Sequence, residues 1–158
     1  GIKNSSKDLF KDKLTLISPF EENSNQDISV VKSFWDSLGS RVLTIKPNLH
    51  DIIFARTSHL PHIISYSLMH SLIHKLGHEA FEFSGGSLED YTRTSSSDPR
   101  MWKDVTISNK EEILSAIDDF ISSLNIIKSL ISQDNEIEIE KFLRGIKSAR
   151  DSLIKEDS

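Results

Sequence analysis

The sequence predicts a mostly α-helical chain that opens with a single βαβ unit. Three observations carry this reading. A strand, helix, strand pattern is confined to the first 46 residues, and from Pro47 onward apolar residues recur at steps of three and four. The chain's 158 residues suffice for one domain, or one domain and part of another, at roughly 100–150 residues per domain.

Leu14 to Ile17 reads as a short buried strand, followed by a polar loop from Pro19 to Gln26. Asp27 is placed to cap the next helix, in which Ile28, Val31, Phe34, Trp35 and Leu38 keep helical spacing, with Trp35 in the core. Gly39 stands where a left-handed residue ends that helix, and Arg41 to Ile45 reads as a second strand. Strands joined through a helix run parallel, with a right-handed crossover. Two such short strands leave edges and a face uncovered, so the rest of the sheet is expected upstream of Gly1. A first residue that is Gly, with methionine only at 69 and 101, points the same way.

Beyond Pro47, Asn48 and Asp51 have the spacing of a capping box, opening an apolar segment that runs to about Leu76 and ends at Gly77. Pro61 lies inside it. Its ring clashes with the carbonyl of Thr57 and it has no N–H to donate, so a kink is expected there. Asp98-Pro99 is a cap and first-position pair for a short helix through Trp102, and Ser108 with Glu111 is a capping box for the next. That helix carries Ile113, Ile117, Phe120, Leu124, Ile127 and Ile131, widened by Leu114, Ile121 and Leu130. So broad a stripe fits two partners, either two helices of the same chain or one from a second subunit, and we expect a homodimer. The last helix, about Asn135 to Leu153, repeats the pattern with Ile139, Phe142, Ile146 and Ala149, and a polar tail follows Ile154.

Composition narrows the function. Hydrophobic residues make up 37% and charged residues 27%, which fits a soluble globular chain. The net charge of -5 argues against nucleic-acid binding, which needs clustered Lys and Arg. There is no cysteine, so disulfides, thiolate catalysis and Cys-based zinc sites are excluded. A reducing cytoplasm is compatible with this. Apolar runs fall short of the ~20 residues that cross a bilayer, so no membrane association is expected.

All six histidines, at 50, 59, 62, 70, 74 and 78, fall in one helical region. His70, His74 and His78 are spaced by four, as two ligands on one helix face would be. Gly77 breaks the helix before His78 and no carboxylate completes a set in register, so the favoured reading is exposed surface histidines and no metal. Ser58-His59-Leu60-Pro61-His62 differs, because polar residues crowd the disrupted backbone, with Ser58 and His62 one turn apart. His50 lies about 120° round an ideal helix from His62, so the two converge only if a kink or ligand bridges them. Ser84-Gly85-Gly86-Ser87 is a turn into a charged stretch, but no P-loop or GxGxxG pattern is present. Arg93, beside a Ser/Thr-rich turn, suits a bidentate carboxylate contact; the alternative is a surface ion pair with Asp90 or Asp98. Trp102 is expected half-buried, packed on one side and offering its N–H on the other.

Together these residues resemble the prephenate and arogenate dehydrogenases of tyrosine biosynthesis. The likeness rests on His50-Asp51, on Ser-His-Leu-Pro-His at 58–62, on Asp90-Tyr-Thr-Arg93, and on Ser97-Asp98-Pro99-Arg-Met101-Trp102. It covers essentially the whole chain. It departs where Thr94, Ser95 and Ser96 stand in place of small apolar residues, and where Ser87-Leu88 replaces a common Gly-Phe.

The resemblance implies that residues 1–46 are the C-terminal remnant, the last βαβ unit, of a truncated Rossmann-type nucleotide-binding domain. Residues 47–158 would be a helical substrate-binding and dimerisation domain. It implies an oxidoreductase of the cytoplasm that uses NAD or NADP for oxidative decarboxylation of prephenate or arogenate. Arg93 would hold a substrate carboxylate, while His50, Ser58, His62 and Trp102 would line the pocket, and Asp90 would join an ion-pair network across the dimer. The family's glycine-rich cofactor turn and catalytic histidine should both lie upstream of Gly1, so these residues alone should not catalyse. The alternative is a non-catalytic helical dimerisation or aromatic-acid-sensing module.

Overall fold

The structure, a computed structural model, describes residues 6 and 8–155. Strands β1 (Leu14–Ile17) and β2 (Arg41–Thr44) pair in parallel, with Leu14 opposite Arg41 and Ile17 opposite Thr44. Helix α1 (Asn25–Ser37) connects them and packs on both. Its cap is Ser24, not Asp27: the Ser24 hydroxyl accepts from the Asp27 N–H, and the Asp27 carboxylate accepts from the Ser24 N–H. Asp27 thus serves as the third helical residue of a capping box, where its charge also meets the positive end of the helix dipole. Gly39 takes the left-handed conformation (φ +81°) that turns the chain into β2. A Cβ there would stand 3.3 Å from the Cα of Lys11.

Leu14 is exposed and the rest of β1 only half-buried, because no third strand flanks the pair among the described residues. Trp35 is likewise half-buried rather than core, packed edge-on between Phe10 and Phe34 at ring distances of 5.1 and 5.5 Å.

The remainder is helical. Helix α2 (Pro47–Phe54) runs into a π-helical turn, Ala55–His59, and then into α3 (Leu60–Leu76), which Gly77 ends at φ +73°. Short segments follow: a 3-10 turn (His78–Phe83), α4 (Gly86–Thr92) and a second 3-10 turn (Arg93–Ser96). Helix α3 packs against α4 and against both 3-10 turns, and the Tyr66 hydroxyl donates to the Ser97 carbonyl at 3.0 Å. Asp98 caps α5 (Pro99–Ser108) by accepting from the Arg100 N–H, and this helix runs well past Trp102.

Two expected caps are not made. Asn48 turns its side-chain oxygen to the Leu49 N–H, and α2 starts at Pro47 without a side-chain cap, since Pro has no N–H to satisfy. Ser108 closes α5 by donating to the Val105 carbonyl, leaving Asn109 at the junction with α6 (Lys110–Ser132).

The chain divides into two compact units, 1–113 and 114–158. In the first, the tightest burial falls on Ala55, Ser65 and Ile113, at 2% exposure or less. The second contains the rest of α6, a turn with Asp134 at φ +49°, and α7 (Glu136–Lys155). Within it Ile121, Leu124, Ile126, Ile131, Ile137, Leu143, Ile146 and Leu153 are exposed in the single chain. Beyond Lys155 the polar tail lies outside the described residues.

Gly39→Ala should cost about 1–2 kcal/mol, the penalty of a Cβ in left-handed backbone, read as a lower midpoint in urea unfolding. An unchanged midpoint would show that the turn relaxes freely.

Candidate active site

The site is built around the π turn. Pro61 cannot donate to the helical ladder, and its ring demands room from the preceding carbonyls. The chain answers by widening: the Leu60 N–H reaches back five residues to the Ala55 carbonyl. Side chains satisfy carbonyls beside the wide turn, Thr57 Oγ1 donating to Ile53 O at 2.9 Å and Arg56 to Ile52 O at 3.3 Å. One residue looped out in this way takes back about 100° of helical rotation. The offset of about 120° between His50 and His62 therefore shrinks to about 20°, which places both on one face of the α2–α3 rod.

On that face His62 stacks on Trp102, with ring centroids 3.8 Å apart and planes 23° from parallel. Its Nδ1 lies 2.9 Å from the Ser58 carbonyl. A carbonyl oxygen only accepts, so Nδ1 carries a proton, which in a neutral ring leaves Nε2 as the acceptor. Trp102 is 8% exposed, more buried than expected, and its Nε1 is buried with no partner among the described residues. His59 meets the same indole edge-on at 6.1 Å. Trp102 also lines a shallow apolar groove with Ile63, Tyr66, Pro99, Thr106 and Ile107.

His50 stacks on Phe54 at 4.4 Å and turns Nδ1 to the Asp51 carboxylate at 2.9 Å, so its Nδ1 is protonated as well. Arg93 is the first residue of the 3-10 turn after α4; Asp90 lies within α4. Both are exposed, and neither has an ion pair among the described residues, so the expected alternative of an Asp90 or Asp98 pair is not formed. His70 and His74 lie with rings 4.3 Å apart on exposed α3 surface. Among the described residues no group of three or more potential metal ligands occurs, and no helix is long and apolar enough to cross a membrane.

Sequence reasoning missed Asn109. Its Nδ2 donates to the Asp51 carbonyl at 2.9 Å and sits 3.2 Å from His59 Nδ1. It also gave no role to Arg56, whose guanidinium lies 3.6 Å from the Glu112 carboxylate. The signal for Asn109 was present, a polar residue between two helices, but its partners lie 50 and 58 positions away.

Burial lowers the His59 pKa from 6.5, with His50 and His62 acting in the same direction and Asp51 opposing. An unfolded His59 takes a proton more readily than the folded one, so stability falls as pH drops from about 6.5 towards the folded value. The thermal midpoint should therefore fall between about pH 7.5 and about pH 5.5, and fall less in His59→Gln. An equal fall in both proteins would remove His59 from the effect.

Residues 46–148 match the family described as prephenate dehydrogenase, dimerization domain. A cyclohexadienyl dehydrogenase of Zymomonas mobilis is 31% identical over 160 residues, covering 94% of this chain and 54% of that protein. A Bacillus subtilis prephenate dehydrogenase is 27% identical, over 97% of this chain and 42% of its own length. The crystal structure of prephenate dehydrogenase from A. aeolicus, in complex with hydroxyphenyl propionate and NAD+, shares the fold at a TM-score of 0.90. It is 35% identical, over 97% of this chain and 54% of that one. The chain spans about half the length of the relatives it matches. Its helical region carries the family's pattern and nearly its whole length shares the family's fold: the chain belongs to the prephenate dehydrogenase family.

Proposed function

We propose that this chain supplies the substrate-binding and dimer-forming part of a cytoplasmic prephenate or arogenate dehydrogenase dependent on NAD or NADP. The observation that carries the reading is the likeness to the A. aeolicus enzyme over 97% of the chain. The reaction is an oxidative decarboxylation in which the ring carboxylate leaves as carbon dioxide, hydride leaves the hydroxyl-bearing carbon, and the ring becomes aromatic. The dinucleotide, when bound, supplies the hydride acceptor. The described residues do not fit its phosphates: β1 is followed by Ser18-Pro19-Phe20-Glu21-Glu22, and carboxylates in place of a glycine-rich turn repel a pyrophosphate. What this chain offers that domain is a parallel βαβ edge, with the boundary between the two domains at residues 46 and 47.

Its share of the chemistry is to hold the substrate. The stacked His62 and Trp102 form a stiff aromatic wall for a six-membered ring, and the unsatisfied indole N–H is a donor left for a ligand or water. Neutral His62 offers Nε2 as acceptor to a hydroxyl, Ser58 and His50 line the same face, and Arg93 is free of ion pairs among the described residues to grip a carboxylate with two parallel N–H bonds. Fixing a dianion before hydride moves is worth several powers of ten, because the geometry is set before the barrier is climbed. Asp90, on the same helical stretch as Arg93, joins an ion-pair network with the partner subunit. The homodimer itself is favoured by the exposed Ile121, Leu124, Ile131, Leu143 and Ile146, which stay uncovered in one chain.

In the intact protein, Arg93→Ala should raise the KM for prephenate or arogenate by at least about tenfold while leaving that for the dinucleotide unchanged. Equal effects on both would take Arg93 out of the substrate site. Light scattering should give a dimer, and a monomer at high concentration would refute the interface.

A further inference from the structure

We propose that Asn109 is a positioning residue that holds His59 as the neutral Nε2–H tautomer, the reverse of His50 and His62, and so fixes a hydrogen-bond donor beside the Trp102 wall. The inference deepens the substrate-site reading above and rests on it for its catalytic consequence, though not for the tautomer itself.

The argument is one of donors and acceptors. The Asn109 amide group places its nitrogen 2.9 Å from the Asp51 carbonyl oxygen, which can only accept, so the amide nitrogen and not its oxygen faces that way. That nitrogen has two hydrogens, and its second neighbour is His59 Nδ1 at 3.2 Å. His59 Nδ1 must therefore accept, and a neutral imidazole with a bare Nδ1 carries its proton on Nε2. His50 and His62 are set the other way, by the Asp51 carboxylate and the Ser58 carbonyl respectively. Three histidines on one helical rod thus present two acceptors and one donor.

Protonating His59 would place an N–H against the amide N–H and break the contact. The surroundings resist that charge: burial lowers the His59 pKa, His50 and His62 lower it further, and the Asp51 carboxylate only partly offsets them. The Arg56–Glu112 pair stands on the same two elements, the π turn and the start of α6. Asn109 also holds more than a ring. It joins the end of α5, which carries Trp102, to α2 through Asp51 and to the π turn through His59, so one amide spans the elements that carry Trp102, His50 and Ser58.

The test is the imidazole 15N spectrum of the intact protein with labelled histidine, the His59 signals being identified by their loss in His59→Gln. At about pH 7.5, His59 should show a bare Nδ1 and a protonated Nε2, with His50 and His62 reversed. Asn109→Asp, whose carboxylate accepts where the amide donated, should flip His59 to Nδ1–H and raise its pKa. An Nδ1–H tautomer at His59 in the unsubstituted protein would overturn the proposal, whatever Asn109 variants do. A His59 spectrum unmoved by Asn109→Asp would overturn it too. In the dehydrogenase assay, Asn109→Leu should lower kcat/KM about tenfold with the dinucleotide KM unchanged, the loss expected for one ordered hydrogen bond. An unaltered kcat/KM would refute the positioning role. If no dehydrogenase activity exists at all, the tautomer spectrum still decides the claim about Asn109.

Discussion

Pro61 is the residue around which the described helices are arranged. Its ring and its missing N–H are incompatible with an uninterrupted ladder, and the chain resolves this by one π turn at Ala55–His59 instead of ending the helix. The wide turn keeps α2 and α3 continuous while shifting the phase of every side chain beyond it. Without that shift, His50 and His62 would diverge by about 120° and no common face would exist. With it, His62 is anchored on the Ser58 carbonyl and stacks on Trp102 of α5, and His59 meets the same indole edge-on.

A backbone distortion of this kind persists where its neighbours over-determine it. Here the neighbours are specific: hydroxyl and guanidinium groups of Thr57 and Arg56 cover carbonyls, Ala55 is fully buried at the turn, and Asn109 ties the turn's last residue to α2. The cluster is polar, and the ring orientations of its histidines are set by partners that accept or donate in fixed directions. The indole nitrogen of Trp102 stands apart as a buried donor with no protein partner among the described residues.

The second unit has a different logic. The later part of α6 and α7 carry apolar residues in excess of what one chain covers, from Ile121 to Leu153. In water such surface favours association, and the family to which the chain belongs is defined over this region by a dimerization domain.

Much of this was legible in the residues. Alternation of apolar steps gave the βαβ unit and the helices; Gly39, Gly77 and Asp98-Pro99 marked their ends, because a left-handed residue or an N-terminal proline has few other uses. The motifs at 58–62 and 97–102 named Ser58, His62 and Trp102 as candidates, and the structure stacks His62 on Trp102 across 40 positions of sequence. Caps were misread at Asp27, Asn48 and Ser108, since Ser, Asn and Asp side chains satisfy several neighbouring backbone groups at similar cost and spacing does not choose between them. Pro61 announced a disruption, but a sequence does not say whether a helix will bend, break or widen; packing on both sides decides that. Asn109 shows the same division. Its identity was plain, but its function as a clamp exists only because α2, the π turn and the α5–α6 junction meet in space. Local chemistry thus determined which elements form and which polar side chains are candidates, while the tertiary structure decided that the helix widens at Pro61 and, through contacts 50 or more positions apart, what His59 and Asn109 meet.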